Sequence, residues 1–343
     1  MKQVRPKKNL GQHFLVDLNI AKRIADTVDS PYPDLPVLEV GPGMGVMTQF
    51  LIEKPRPLKV VEIDRESVAY LKETLFRECD DTSRLTPHAS RLTSIIEGDF
   101  LRMDLNEVFD GQPFVLTGNY PYDISSQIFF KMLDNRQLIP CCTGMIQHEV
   151  ALRMASKPGS KQYGILSVLT QAWYDVEYLF TVEPGVFNPP PKVQSAVIRM
   201  TRNQTQHLGC DEQLFKRIVK AVFNQRRKML RVSLRQILTP HASPLTSDPD
   251  TSRLTPHVSR LTSDPDTSRL TSHVSRLTSD PDTSRLTSHV SRLTSDSDTS
   301  RLTSHVSRLT SDCPIDLTRR PEQLTIPEFV ELTNWVQPQL ATP

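Results

Sequence analysis

A chain of 343 residues, 37% of them hydrophobic, has enough apolar material for one or two domains with an ample core. No apolar run is long enough to span a bilayer, and Met1-Lys2-Gln3-Val4-Arg5 lacks a secretory signal pattern, so a cytoplasmic protein without membrane contact is expected. The five cysteines (Cys79, Cys141, Cys142, Cys210, Cys313) form no Cys-x-x-Cys pair, which argues against a zinc site or a disulfide framework; a net charge of +2 leaves any nucleic-acid partner to be read from the distribution of charge.

The amino terminus carries Lys2, Arg5, Lys7 and Lys8 ahead of Asn9-Leu10-Gly11-Gln12-His13-Phe14-Leu15. Asp17 to Val28 then reads as a helix with Ile20, Ile24 and Val28 on one face. Pro36-Val37-Leu38-Glu39-Val40 reads as a buried strand, Gly41-Pro42-Gly43-Met44-Gly45 as a sharp turn, and Val46 to Ile52 as the following helix. Val60-Val61-Glu62-Ile63-Asp64 supplies a second strand that ends on Glu62, a carboxylate placed to accept both hydroxyls of a ribose. The pattern is the first half of a nucleotide-binding α/β unit.

A helix through Leu71 and Leu75 should follow, and then a strand near Ile95-Ile96 leading into Glu97-Gly98-Asp99-Phe100. Between them, Asp80 to Ser94 carries a phrase that returns as a tandem array from Thr239 to Asp312, with the sixteen-residue unit Ser-Arg-Leu-Thr-Ser-Asp-Pro-Asp-Thr-Ser-Arg-Leu-Thr-Ser-His-Val. Six of the nine histidines (His88, His241, His257, His273, His289, His305) belong to the phrase and the array, so their number reflects repetition rather than a metal site. Each unit offers two Leu and one Val and no aromatic residue, too little apolar surface to offset ordering entropy. Both stretches read as insertions, the array as disordered; a short-repeat β-solenoid is the competing reading.

Pro113 to Leu116 begins a later strand that ends in Thr117-Gly118-Asn119-Tyr120-Pro121-Tyr122, a polar amide and two aromatic rings where open α/β sheets place their ligands. Ser125 to Leu133 reads as a helix with Ser125 as its cap, Thr143 to Ile146 as a strand, Tyr163 to Ala172 as a helix and Val176 to Val182 as a strand. Adjacent residues on a helix do not face each other, so His148 and Glu149 are read as structural. Val186-Phe187-Asn188-Pro189-Pro190-Pro191-Lys192-Val193 gives a stiff loop leading into an edge strand with period two. From Asp211 the pattern is helical: Leu214, Ile218 and Val222 share a face, and a helix continuing through Phe223 to Leu234 carries the densest basic cluster, Arg226, Arg227, Lys228, Arg231 and Arg235. After the array the chain resumes at Pro314 to Leu324 and ends in a helix from Ile326 to Val336.

Asn119-Tyr120-Pro121-Tyr122 resembles the catalytic motif of S-adenosylmethionine-dependent methyltransferases that act on the exocyclic amine of adenine. With Leu10-Gly11-Gln12-His13-Phe14-Leu15, the Pro-Pro-Pro-Lys-Val loop and the Phe-Asn-Gln-Arg-Arg-Lys segment, the chain resembles the ribosomal RNA small-subunit adenine dimethyltransferase family over nearly everything except the two insertions. The resemblance implies a Rossmann-like class I methyltransferase domain over residues 1–205, with an insertion at 80–94. It also implies a mostly helical RNA-binding domain over 206–343, interrupted by the array at 239–312. It further implies S-adenosylmethionine bound by His13, Leu15, Gly41, Glu62, Asp99 and Asn119, and chemistry at Asn119, Tyr120, Pro121 and Tyr122, with Phe187 packing on the target base. Lys7, Lys8, Lys192, Arg226, Arg227, Lys228 and Arg231 would lie against RNA phosphates of the small ribosomal subunit. No metal and a monomeric state are expected. A nicotinamide dehydrogenase would share the glycine turn and Glu62 but has no use for Asn119 to Tyr122. Two rivals stay open: an adenine methyltransferase of large-subunit ribosomal RNA, of the macrolide-resistance kind, and an assembly factor whose catalysis the insertions have damaged.

Overall fold

In the computed structural model, which describes residues 6–7, 12–75, 92–238 and 312–340, the fully buried run Val37–Val40 is an inner strand of a seven-stranded sheet. A two-residue strand, β1 (Phe14–Leu15), comes first, followed by α1 (Leu18–Ala25), β2 (Val37–Val40), α2 (Thr48–Ile52), β3 (Leu58–Glu62), α3 (Arg65–Thr74) and β4 (Leu92–Glu97). Next come β5 (Val115–Asn119), α4 (Ser125–Asp134), β6 (Cys141–Gln147), α5 (His148–Ala155), α6 (Ile165–Gln171), β7 (Tyr174–Val182), the short β8 (Phe187–Asn188) and β9 (Ser195–Arg202). Three described helices complete the chain: α7 (Glu212–Asn224), α8 (Leu230–Leu238) and α9 (Ile326–Leu340).

The sheet order is β4-β3-β2-β5-β6-β9-β7. The first five strands are parallel, and β9 and β7 join antiparallel. Strand order reverses between β2 and β5, so a crevice opens outside their carboxyl ends, where such sheets bind ligands. Both faces are covered, and neighbouring residues part to opposite sides: Leu38, Leu116, Cys142 and Ile198 join one cluster, Val37, Val115, Cys141 and Val197 the other.

Helix starts follow local chemistry. Asp17 caps α1 by accepting from Asn19 and Ile20 N–H at 2.9 and 3.0 Å, and Asp211 caps α7 from Gln213 and Leu214 N–H at 2.9 Å. At α4 the cap differs from the expectation: Ile124 holds the cap position, and Ser125 Oγ donates to Tyr122 O.

Three further expectations are revised. The proline-rich loop leads into β9, which lies between β6 and β7 rather than at an edge, because the β7–β9 pair docks on β6 through its later strand. The segment Phe223 to Leu234 is not one helix: α7 ends at Asn224, a turn follows, and α8 starts at Leu230 with its first N–H groups, Leu230 and Arg231, donating to Arg319 and Leu317 O. Of the first repeat phrase, Leu92, Thr93 and Ser94 belong to β4, whose pairing with β3 shifts register between Leu58 and Lys59 of β3; the rest of the 80–94 insertion, and the array through residue 311, lie outside the described residues.

One hydrophobic cluster runs from the sheet through α4 and α6 into α7, α8 and α9. Trp173 meets Phe215 edge-on at 6.1 Å and Phe215 meets Phe329 at 6.5 Å, so the sheet and the carboxyl-terminal helices share their core on either side of residue 205.

Candidate active site

The crevice is floored by the ends of β2, β3 and β5. Gly41, Gly43, Met44, Glu39 and Glu62 line one side, Gly98, Asp99, Phe100 and Leu101 another, and Asn119, Tyr120, Pro121, Tyr122, Asp123 and Ile124 a third. Gln12, His13, Phe14 and Leu15 close over it.

The glycine turn serves the carboxylate beside it. Gly43, at φ +56°, directs its N–H to Glu62 Oε2 at 3.0 Å, and Asp64 N–H reaches Oε1 at 2.9 Å. Burial raises the Glu62 carboxyl above the ordinary range, and those two donors oppose the rise, so each oxygen is fixed and keeps a lone pair for a diol. A side chain at Gly43 would press on the Phe14 ring at 3.1 Å, so the turn is kept bare beneath the amino-terminal strap. Gly41 N–H donates to Val61 O at 2.9 Å. Asp99 Oδ1 accepts from Leu101 N–H at 2.9 Å, and Oδ2 faces Arg102 at 3.5 Å.

The strap is held at several points. Lys7 Nζ pairs with Asp64 at 2.6 Å and with Glu66 at 3.2 Å. β1 pairs antiparallel with β8, Leu15 opposite Phe187. His13 Nδ1 lies 2.8 Å from Pro189 O, and because a carbonyl only accepts, this nitrogen carries the proton. The His13 ring stacks on Tyr122 with centroids 5.8 Å apart and planes at 28°. Asn119 Nδ2 donates to the main-chain oxygen of His13 at 3.2 Å.

The two tyrosines of the motif differ. Tyr120 is 1% exposed; its hydroxyl donates to Thr143 O at 3.1 Å, and its ring fills the space left by the missing side chains of Gly118 and Gly144. It anchors the turn from below and offers the crevice its main chain. Tyr122 presents its ring, with its hydroxyl 2.5 Å from Ser195 Oγ and kept protonated by burial.

His13, Leu15, Gly41, Glu62, Asp99, Asn119, Tyr120, Pro121 and Tyr122 therefore meet in one crevice. Phe187 does not. It is 4% exposed and packs in the cluster that also holds Leu15, Val182 and Val197, because pairing of β8 with β1 turns its ring inward rather than onto the crevice lining. Lys7 is spent on Asp64 and Glu66, Lys8 lies outside the described residues, and Lys192 is exposed on the proline-rich loop. Arg226 turns toward Ser160 O at 3.3 Å and Glu322 at 4.0 Å. Arg227, Lys228 and Arg231 line a second, open groove with Met229, Val232, Thr318 and Arg320. Sequence reasoning missed Arg320 there, and missed Glu39 in the crevice. Glu39 is 1% exposed, accepts from Thr48 Oγ at 2.7 Å, and has its carboxyl pushed up to about 8 by burial with a contribution from Glu62. A carboxylate inside an apolar strand is costly, which was the available signal.

Among the described residues no group of three or more His, Cys, Asp or Glu side chains converges as a metal site, and no helix is long and apolar enough to cross a membrane.

This strand order, with a glycine-lined crevice at the point of reversal and an acidic residue closing the second parallel strand, is that of a Rossmann-like class I methyltransferase. Residues 3–250 match the model of a family described as ribosomal RNA adenine dimethylase. The ribosomal RNA small subunit methyltransferase A of Bacteroides fragilis is 67% identical over 248 residues, 72% of this chain and 86% of that protein; the Flavobacterium johnsoniae protein of the same name is 51% identical over 69% of this chain and 85% of its own length. With such relatives on top of the family match, this chain belongs to the ribosomal RNA adenine dimethylase family. Among solved structures, a dimethyladenosine transferase from Plasmodium falciparum aligns at TM-score 0.54 with 25% identity over 65% of this chain and 75% of that one. The 23S rRNA methyltransferase ErmE aligns at 0.51 with 28% identity over 64% and 83%.

Proposed function

We propose that the protein transfers methyl groups from S-adenosylmethionine to the exocyclic amines of two adjacent adenosines in the 3′-terminal hairpin loop of small-subunit (16S) ribosomal RNA, giving N6,N6-dimethyladenosine during small-subunit biogenesis. The observation that carries the chemistry is the Asn119 carboxamide at the end of β5 and the half-buried Tyr122 ring just beyond it, lining the same crevice as the fixed carboxylate Glu62. Identities of 67% with small-subunit enzymes, against 28% with ErmE, favour the small subunit over the large-subunit alternative.

The residues fit the cofactor. Glu62 suits the ribose diol and Asp99 the adenine amine, and the strap with His13 and Leu15 excludes water from above. When bound, the cofactor supplies an electrophilic sulfonium methyl. The chain's part is positioning. An adenine amine is a poor nucleophile because its lone pair is delocalised into the ring. Asn119 Oδ1 and the main-chain oxygen of Tyr120, to which nothing among the described residues donates, accept its two hydrogens and draw the nitrogen toward tetrahedral geometry. Its lone pair then points at the methyl, and the proton departs afterwards to solvent. Tyr122 provides the stacking face for the base once it has left its own stack.

Arg227, Lys228 and Arg231, with the exposed Lys192 on the proline-rich loop, are the candidates for phosphate contact. An enzyme of this substrate works where ribosomes are assembled, in the cytoplasm, and acts as a single chain.

The test is transfer of labelled methyl to undermethylated small subunits and, in parallel, to large-subunit RNA, with mono- and dimethyladenosine resolved. Dimethyladenosine on the small subunit is expected. Label on large-subunit RNA, or tight binding without transfer, would replace this reading with one of its two rivals.

A further inference from the structure

The amide of Asn119 has two ends, and only the oxygen can accept a hydrogen from an adenine amine. What decides which end faces the crevice is on the strap. The group opposite Asn119 is the main-chain oxygen of His13 at 3.2 Å, an obligate acceptor, so the end of the amide that meets it must be Nδ2, and Oδ1 is left as the open acceptor. His13 is itself fixed three ways: its Nδ1 donates to Pro189 O at 2.8 Å, its ring lies on Tyr122, and the next two residues are paired with β8.

We infer that His13 is a positioning residue for methyl transfer, its main-chain carbonyl setting the orientation of the Asn119 carboxamide. The inference rests on the proposed adenine chemistry. The strap thereby does more than cover the crevice: the orientation needed for catalysis exists when the strap is seated, so the acceptor is assembled together with closure. Ser195 belongs to the same chain of contacts, since it holds the Tyr122 hydroxyl and so the ring on which His13 rests.

Asn119→Asp separates this role from a simple need for an acceptor. The aspartate is nearly isosteric and keeps two acceptor oxygens. Ionised, it presents no donor to the His13 oxygen and repels it; protonated, it donates to His13 O with one oxygen and accepts with the other. Single-turnover transfer to small subunits at saturating cofactor should therefore be strongly reduced at pH 8 and rise toward about tenfold per pH unit as pH falls toward 6, relative to wild type at each pH. That normalisation cancels pH effects common to both proteins from the crevice's other ionisable groups, His13, Glu39, Glu62, Asp99, Tyr120, Tyr122 and Asp123. Melting of the variant, measured alongside, reports that it folds. Near-wild-type transfer by Asn119→Asp with a flat pH ratio would overturn the inference. Absence of dimethyladenosine from the wild-type control would instead overturn the proposed function.

Discussion

The crevice and the basic groove are both assembled from distant parts of the chain, yet they are held in different ways. In the crevice nearly every group is set by a specific hydrogen-bond partner: Glu62 by two main-chain donors, Asn119 by the His13 carbonyl, Tyr122 by Ser195, Tyr120 by Thr143. In the groove Arg227, Lys228 and Arg231 are exposed, and what is fixed is the backbone beneath them, through Leu230 and Arg231 N–H on the carbonyls of Arg319 and Leu317. The first arrangement suits a reaction decided by tenths of an ångström; the second suits attraction to a phosphate backbone that salt can tune. Damage to the two should have different signatures.

The largest effect is expected at Asn119. Asn119→Ala should lower single-turnover transfer by about 10²–10³-fold, as removal of one preorganised polar group does elsewhere, while calorimetry finds cofactor and small-subunit binding retained.

Glu39 tests burial in the same crevice. Its folded carboxyl titrates at about 8 rather than 4.5, so the folded state holds a proton that the unfolded state releases. Its contribution to stability is present below pH 4.5 and is lost as pH rises to about 8. Glu39→Gln should flatten the melting profile over that window and stabilise the cofactor-free protein at pH 8 by roughly 2–4 kcal/mol.

Gly144→Ala tests the support below the motif. The added Cβ would lie 2.3 Å from Gly118 O and 2.7 Å from the Tyr120 ring, and the residue sits at φ +152°. A loss of about 1–3 kcal/mol in chemical denaturation is expected, together with slower transfer, because Asn119 lies between the displaced groups.

For the groove, replacing Arg227, Lys228 and Arg231 by Gln should weaken small-subunit binding and lower the slope of log K against log salt by about 2–3, with cofactor affinity unchanged. The smallest effect is expected from the repeat array. Deleting residues 240–311 should leave melting and transfer close to wild type, because its composition offers little to a core.

How much of this was legible in the sequence follows the same division. The parallel strands and the crevice were readable because apolar runs ending in Gly, Glu, Asp and Asn are local signals, and Asn119 to Tyr122 stood at the end of one of them. The helix starts at Asp17 and Asp211 were equally local, since each aspartate caps the helix that follows it, whereas the cap expected at Ser125 is held by Ile124. What could not be read depended on pairing across long separations. Phe187 looked like a stacking residue in a proline-rich loop, but a two-residue strand formed with Phe14–Leu15 buries it. Arg226 looked like the first of a basic run, yet Ser160 and Glu322, far off in sequence, draw it inward. Lys7 was read as an RNA contact and is paired to Asp64 and Glu66. Glu39 was overlooked because it sits inside the apolar pattern that identified its strand.

The measurement that bears most directly on the division between crevice and groove is single-turnover methyl transfer as a function of small-subunit concentration, for Asn119→Ala and the Arg227/Lys228/Arg231 variant side by side. The groove variant should need more substrate but reach the wild-type rate at saturation, while Asn119→Ala should saturate normally at a rate reduced by two to three orders of magnitude. A groove variant that stays slow at saturation, or an Asn119→Ala protein that recovers there, would contradict the account.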